Sequence, residues 1–225
     1  MITSANFVTY PGEKRLQALE FAVASIRQQV DIVRICWNNY TSIPPGFDFA
    51  LNKIPIEDLT DNGKFYFVPF ANEDMYLTCD DDILYPEDYV ALIASSLLSH
   101  PIVTFHGREL VPHGRHSYYR GGHLCYSYLN YTPLDKKVHV GGTGVMGINL
   151  NKYRPNISHS PFKCMSDLVL SLDAAQNNIP IICAAHPDKW LHSIRTGQET
   201  ISNKFRKEES QQIAIMNEIF NIFDL

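Results

Sequence analysis

The sequence predicts an α/β domain. Segments with strand character alternate with segments of helical spacing along most of the chain. The 225 residues are 45% hydrophobic and 19% charged, an ordinary globular composition that argues against disorder. No window approaches the roughly 20 apolar residues that a membrane span needs. The length suits one large domain or two small ones, with about 70% of the unfolded surface buried. Nineteen Lys and Arg against 24 Asp and Glu leave a net charge of −5. That balance excludes a general nucleic-acid binder, which needs a basic face, but leaves local phosphate binding open.

Residues 2–9 read as a strand ended by Tyr10-Pro11-Gly12. Leu16, Leu19, Ala22, Val23 and Ile26 recur at helical spacing, so a helix over 14–29 follows. Val30 to Trp37 is rich in β-branched residues and reads as a second strand. This strand–helix–strand unit seeds a parallel sheet with a right-handed crossover. The turn Asp61-Asn62-Gly63-Lys64 leads into FYFVPF (65–70), read as a strand. Met75 to Cys79 is a further strand and runs straight into Asp80-Asp81-Asp82. Pro86 suits the first turn of a helix, with Glu87 and Asp88 favourable near its positive end, and that helix should run to about His100. Ile102 to Phe105 is again strand-like.

Residues 106–137 change character. They hold His106, Arg108, His113, Arg115, His116, Arg120 and His123 with Tyr118, Tyr119, Tyr126, Tyr128 and Tyr131. We read a long loop or small hairpin, since such excursions in compact domains are usually functional. The bland alternative is a solvated loop with aromatic anchors; the sharper one is a binding wall whose Tyr and His side chains stack on and hydrogen-bond a ligand. His113-x-x-His116 completes no zinc spacing. Val138 to Leu150 returns to strand-like segments around a glycine cluster, 167–176 reads as a helix and 179–184 as a strand. A terminal helix over about 207–223 carries Ile213, Met216, Ile219 and Phe220 on one face. Its flanking Lys204, Arg206 and Lys207 are followed at once by Glu208 and Glu209, so strong membrane attraction is not indicated, and a peripheral contact stays open.

Cys36, Cys79, Cys125, Cys164 and Cys183 are odd in number, widely spaced and free of any CxxC, which argues for buried thiols rather than disulfides or a zinc ribbon. With no signal-peptide pattern over Met1 to Tyr10, a cytoplasmic, reduced protein is expected.

The strongest chemical signal is the aspartate triplet at the end of an apolar strand. Three adjacent carboxylates repel, and burial without a counter-charge would raise their pKa values. In extended backbone Asp80 and Asp82 share one side, offering hard oxygen ligands to Mg²⁺ or Mn²⁺. The structural alternative is an acidic turn capping the next helix. Asp167, between Ser166 and Leu168, is either a first-turn acid stabilised by the helix dipole or a general base whose pKa partial desolvation raises. Gly142-Thr-Gly-Val-Met-Gly147 matches GxGxxG literally, but no helix pattern follows, so a dinucleotide fold is rejected and close backbone approach is the better use of these glycines.

The run Tyr76-Leu-Thr-Cys-Asp80-Asp-Asp-Ile-Leu-Tyr-Pro86 resembles the DxD segment of GT-A glycosyltransferases, especially bacterial polysaccharide- or capsule-type enzymes close to family 2. Trp37-Asn38-Asn39-Tyr40, Asp61-Asn-Gly-Lys64-Phe65 and Ser166-Asp167 are similar to further segments of that family in the same order, although Ser166 departs from the acidic form of the acceptor motif. The resemblance implies a single GT-A-like domain over 1–225, with a Rossmann-like nucleotide-sugar half over about 1–105 and an acceptor half over about 106–225 around one mixed β-sheet. It implies a UDP-sugar donor, a glycan or lipid-linked acceptor, Mn²⁺ or Mg²⁺, and transfer with inversion. Asp82 would ligate the metal, and Asp80 would ligate it or contact the ribose, with Asp81 beside them at the donor. Asn38 and Lys64 would lie near the uridine, His186 would complete the metal shell and Asp167 would be the base. Trp190 would face a sugar or anchor the core. Two rivals remain: a non-catalytic nucleotide- or carbohydrate-binding domain, and a sugar-phosphate nucleotidyltransferase. The second is disfavoured because Tyr10-Pro-Gly-Glu-Lys-Arg15 is no glycine- and arginine-rich phosphate loop.

Overall fold

The computed structural model describes residues 1–111, 117–196 and 209–223. His113, Arg115, His116, Lys204, Arg206, Lys207 and Glu208, singled out in the sequence, lie outside them. Thr3–Thr9 forms β1, buried along its whole length, and Glu13–Ile26 forms α1, which turns Ala18, Leu19, Ala22, Val23 and Ile26 onto the sheet. β2 (Ile32–Trp37), β3 (Leu51–Lys53), β4 (Met75–Cys79) and the short β5 (Ile83–Leu84) follow. Then come α2 (Tyr89–Leu97), β6 (Ile102–Thr104), β7 (Gly107–Leu110) and β8 (His123–Tyr126). The chain continues through β9 (Lys136–Val138), β10 (Val140–Gly141), β11 (Val145–Asn149) and α3 (Ser166–Gln176). β12 (Ile181–Cys183), β13 (His192–Ser193) and the C-terminal helix Ser210–Ile222 close it.

Eight strands form one mixed sheet in the order β3-β2-β1-β4-β11-β6-β12-β9. β3, β2, β1 and β4 run parallel, as the N-terminal crossover requires, while β11 is antiparallel to both β4 and β6. The antiparallel β11 therefore starts at the edge where β4 and β6 end. The antiparallel β7–β8 pair, extended by β10, rises beside that edge, so the described part of the 106–137 excursion holds a small hairpin.

Five expectations change. Residues 65–70 are not a strand: Thr60–Phe65 and Val68–Phe70 are two 3-10 turns, and Pro69 offers no N–H to a ladder. β3 replaces what read as loop. α2 begins at Tyr89, after Pro86 rather than on it, and ends at Leu97. In the C-terminal helix Ile215, not Ile213, is buried beside Met216 and Ile219. Cys36, Cys79 and Cys183 are buried free thiols, but Cys125 is exposed and Cys164 half-buried. Among the described residues no helix is long and apolar enough to cross a membrane.

The parallel half is pinned from inside by charge. Arg34 of β2 and Glu73, just before β4, form a buried two-pronged ion pair, its second prong 3.1 Å long. Ser4 of β1 donates to the same carboxylate at 2.6 Å. Removing one partner of a buried pair strands the other charge, at about 3–5 kcal/mol. We expect Glu73→Ala to lose about that much in urea unfolding and Glu73→Gln less; a loss below about 1 kcal/mol would show that Arg34 finds water instead.

Candidate active site

The carboxyl ends of β1, β4 and β6, the start of β11 and the N-terminus of α3 surround a cleft of about 610 Å³. Backbone pairing fixes the acidic tip there: Asp80 N–H donates to the Gly144 carbonyl at 3.1 Å, and the Tyr85 hydroxyl reaches that same carbonyl at 2.8 Å. A Cβ on Gly144 would overlap the Asp80 carboxylate, and one on Gly142 would meet His106 Cβ and Cδ2 at 2.9 Å. These two glycines are thus needed for close packing against site side chains.

Lys64 stands at the centre. It comes from the first 3-10 turn and is only 4% exposed. Tyr76 donates to its carbonyl at 2.6 Å, and its ammonium pairs with Asp80. Burial alone would lower the Lys64 pKa, but the fields of Asp80, Asp61 and Asp167 overcome it and hold the ammonium firmly charged. Asp61 accepts from the Ser166 hydroxyl at 2.7 Å and from Ser166 N–H at 2.9 Å, at the start of α3. Its own pKa is raised by burial, partly offset by Lys64 and Ser166.

The three tip aspartates part company. Asp80 turns to Lys64, and Asp81 accepts from Arg15 of α1 at 2.7 Å. The second Asp81 oxygen is buried without a hydrogen-bond partner, and burial pushes this carboxyl up to about 6 despite Arg15. The Asp82 carboxylate makes no hydrogen bond or ion pair with a described residue; burial, then repulsion from Asp80 and Asp81, pushes it up to about 7. Crowded carboxylate oxygens with unused lone pairs suit a hard divalent cation. Among the described residues, no group of three or more His, Cys, Asp or Glu side chains is already gathered as a metal shell.

Asp167 lies in the same cleft. One carboxylate oxygen accepts from Thr143 N–H and from the Thr143 hydroxyl, both at 2.7 Å, and the other accepts from Tyr118. Burial works to raise its pKa, but Tyr118, Thr143, Lys64 and Arg108 together hold it below the ordinary carboxylate value. The expectation of a raised value is therefore reversed: desolvation is present, and the donors around the carboxylate outweigh it.

Asn38 and His186 stand apart from the cleft lining. Asn38 is fully buried; it accepts from Leu59 N–H at 3.2 Å and donates to the Thr60 carbonyl at 2.8 Å, fastening the turn that carries Lys64. His186, expected in a metal shell, is 3% exposed, with its ring nitrogens 2.8 and 3.2 Å from the Ala184 and Ser127 carbonyls. Each ring nitrogen faces one of these carbonyl oxygens, and the ring is not part of the cleft lining where the aspartate tip lies. Trp190 packs edge-on to Phe105 and donates to Asp88 at 2.9 Å, an anchor outside the cleft. Sequence reasoning missed Asp61 and Thr143 as site residues. The only signal for Asp61 was its place beside Lys64; none marked Thr143.

No family model and no curated protein sequence matches the chain. Solved structures do. TarS 1-349 from S. aureus in complex with UDP-GlcNAc is 13% identical over 98% of this chain and 67% of that one, with a TM-score of 0.58. The mannosyltransferase PcManGT from Pyrobaculum calidifontis, in complex with GDP-Man and Mn²⁺, is 14% identical over 88% and 57%, at 0.52. The 2-C-methyl-D-erythritol 4-phosphate cytidylyltransferase from Thermus thermophilus is 12% identical over 98% and 100%, at 0.50. The fold is that of the GT-A glycosyltransferases, and a nucleotidyltransferase shares much of it.

The lowered Asp167 pKa has a checkable sign. The native state binds fewer protons here than the unfolded chain, so this contribution is full above the ordinary carboxylate pKa and is lost as pH falls through the depressed native value. Tyr118→Phe removes one donor and raises the native value. Melting temperatures from pH 3 to 7 should show the variant losing stability at a higher pH than wild type; superimposable profiles would mean that Tyr118 does not hold the carboxylate down.

Proposed function

We propose that this chain is a glycosyltransferase that moves a sugar from a nucleotide-sugar, UDP-linked, to a hydroxyl of a glycan or lipid-linked acceptor with inversion. The observation that carries this reading is the meeting of the acidic tip, Lys64 and Asp167 in one cleft at the carboxyl edge of a GT-A sheet. Fold likeness alone would not separate it from nucleotidyl transfer. A phosphate loop after β1 would favour that rival, and Tyr10-Pro-Gly-Glu-Lys-Arg15 supplies a single glycine there, with Arg15 committed to Asp81.

Asp82 and Asp80 are the groups that would hold Mn²⁺ or Mg²⁺, Asp81 keeping them placed through Arg15. The ion would supply Lewis-acid stabilisation of the departing nucleoside diphosphate. Lys64 pairs with Asp80 and orients it, and the residues of the 1–105 half frame the donor. On the acceptor side, Asp167 takes the proton of the attacking hydroxyl. In the resting site it is a weak base, because Tyr118 and Thr143 both donate to it. An acceptor hydroxyl that displaces Tyr118 removes one of those bonds and makes the carboxylate a stronger base as it is engaged.

The test is release of nucleoside diphosphate from UDP-glucose, UDP-N-acetylglucosamine and GDP-mannose, with and without Mn²⁺. Metal-dependent turnover is expected, abolished by Asp82→Ala. Asp167→Asn should cut turnover by roughly 10²–10⁴-fold while leaving nucleotide binding intact. Gly144→Ala, which displaces Asp80, should lower turnover without unfolding the chain. Metal-dependent UDP binding with no turnover on any acceptor would favour a non-catalytic domain. Pyrophosphate release from CTP or UTP with a sugar phosphate would favour the nucleotidyltransferase.

A further inference from the structure

Among the described residues, three Arg and Lys side chains line the cleft, and two are spoken for: Arg15 by Asp81, Lys64 by Asp80. Arg108 of β7 is different. Its guanidinium lies 3.8 Å from the centre of the Tyr118 ring, and its Nε and Nη1 are buried with no hydrogen-bond partner. No described carboxylate forms an ion pair with it. Stacking on a tyrosine offsets part of the cost of burying this cation but leaves Nε and Nη1 unused. His106 is two residues earlier along the same wall, with Nδ1 likewise buried and unpartnered. Burial, then the neighbouring Arg108, lowers the His106 pKa to about 4, so the ring is a neutral hydrogen-bonding group at ordinary pH. The backbone does not leave this wall to chance: Arg108 is paired in register with Val140 on one side and Cys125 on the other. Arg108 and His106 both line the cleft, and a phosphate or carboxylate entering there would offer two oxygens to the unused Nε and Nη1 donors.

Resting on the glycosyltransferase reading, we propose that the acceptor carries an anionic group, phosphate or carboxylate, beside the hydroxyl that is glycosylated, and that Arg108 with His106 recognises it. The placement favours the acceptor over the donor diphosphate. Arg108 lies on the hairpin with Tyr118, which bonds Asp167, whereas the acidic tip is organised by Lys64 and Arg15 from the other half of the sheet. Negative charge placed there would also balance the positive potential that Arg108 contributes next to Asp167.

The test uses glucose, glucose 6-phosphate and glucuronate as probes in calorimetric titrations, each with and without saturating UDP and Mn²⁺. Wild type should bind both anionic probes at least about tenfold more tightly than glucose in either condition, as expected for a two-pronged charged contact. Arg108→Gln should remove the preference and Arg108→Lys should keep part of it, with melting temperatures confirming that both variants fold. Inorganic phosphate should compete with the anionic probes, and UDP should not. Equal binding of charged and neutral probes by wild type, or a preference that survives Arg108→Gln, overturns the proposal. So does a loss of UDP affinity in Arg108→Gln with UDP displacing the probes, since that assigns Arg108 to the donor. An Arg108-dependent preference in a protein that binds no nucleotide would instead sink the glycosyltransferase reading and leave the anion site standing.

Discussion

The site depends on one buried ammonium. Lys64 is placed where three carboxylates from three parts of the chain converge: Asp80 after β4, Asp61 in its own turn, and Asp167 at the start of α3. Without that charge the buried Asp61 and Asp167 would lose a cation that favours their ionised forms. The cost of burying the ammonium is met by those same groups, so cation and anions define one another's positions. The surrounding contacts serve this arrangement: Asn38 fastens the chain ahead of the turn, Tyr76 holds the Lys64 carbonyl, and Ser166 holds Asp61.

Sheet topology makes the convergence possible. Because β11 runs against β4, the loop before it returns to the edge where the aspartate tip emerges, and Gly144 meets Asp80 there without a side chain between them. The preceding residue, Thr143, turns both its N–H and its hydroxyl onto Asp167. A short stretch of loop thus touches the acidic tip on one side and the candidate base on the other. Movement of either would be felt by its partner through Lys64 and Thr143, whose Nζ and Oγ1 are 3.5 Å apart.

Much of this was legible before any coordinates. β1, α1, β2 and β4 declare themselves through β-branched runs and helical spacing, and the aspartates stand out because three charges close an apolar strand. The run FYFVPF misled, since a continuous apolar stretch has no alternation to tell a strand from successive turns. β3 was invisible because it is a three-residue edge strand after a proline-rich loop. In the site, residue types were readable but directions were not. Nothing in the local sequence says that Arg108 stacks on Tyr118, that His186 spends its ring on carbonyls, or that the donors around Asp167 outweigh the effect of its burial.

Ser166 illustrates how a local mismatch can be compensated in space. The acceptor motif that this segment resembles has an acid before the aspartate, and this chain has a hydroxyl. The hydroxyl donates to Asp61, which is 105 residues away in sequence, so a carboxylate still sits beside Asp167 at the head of α3. The substitution alters the chemistry of that neighbour. A carboxylate attached to α3 would move with the helix, whereas Asp61 is tied to the Lys64 turn and so couples that turn to the start of α3. Two carboxylates at one helix terminus raise each other's proton affinity, and Lys64 between them restores ionisation at Asp167, where Tyr118 and Thr143 also donate. The burden of burial is left on Asp61, whose pKa is raised. Asp167, the base of the proposed reaction, stays charged through Tyr118, Thr143, Lys64 and Arg108, while at its neighbour Asp61 burial prevails.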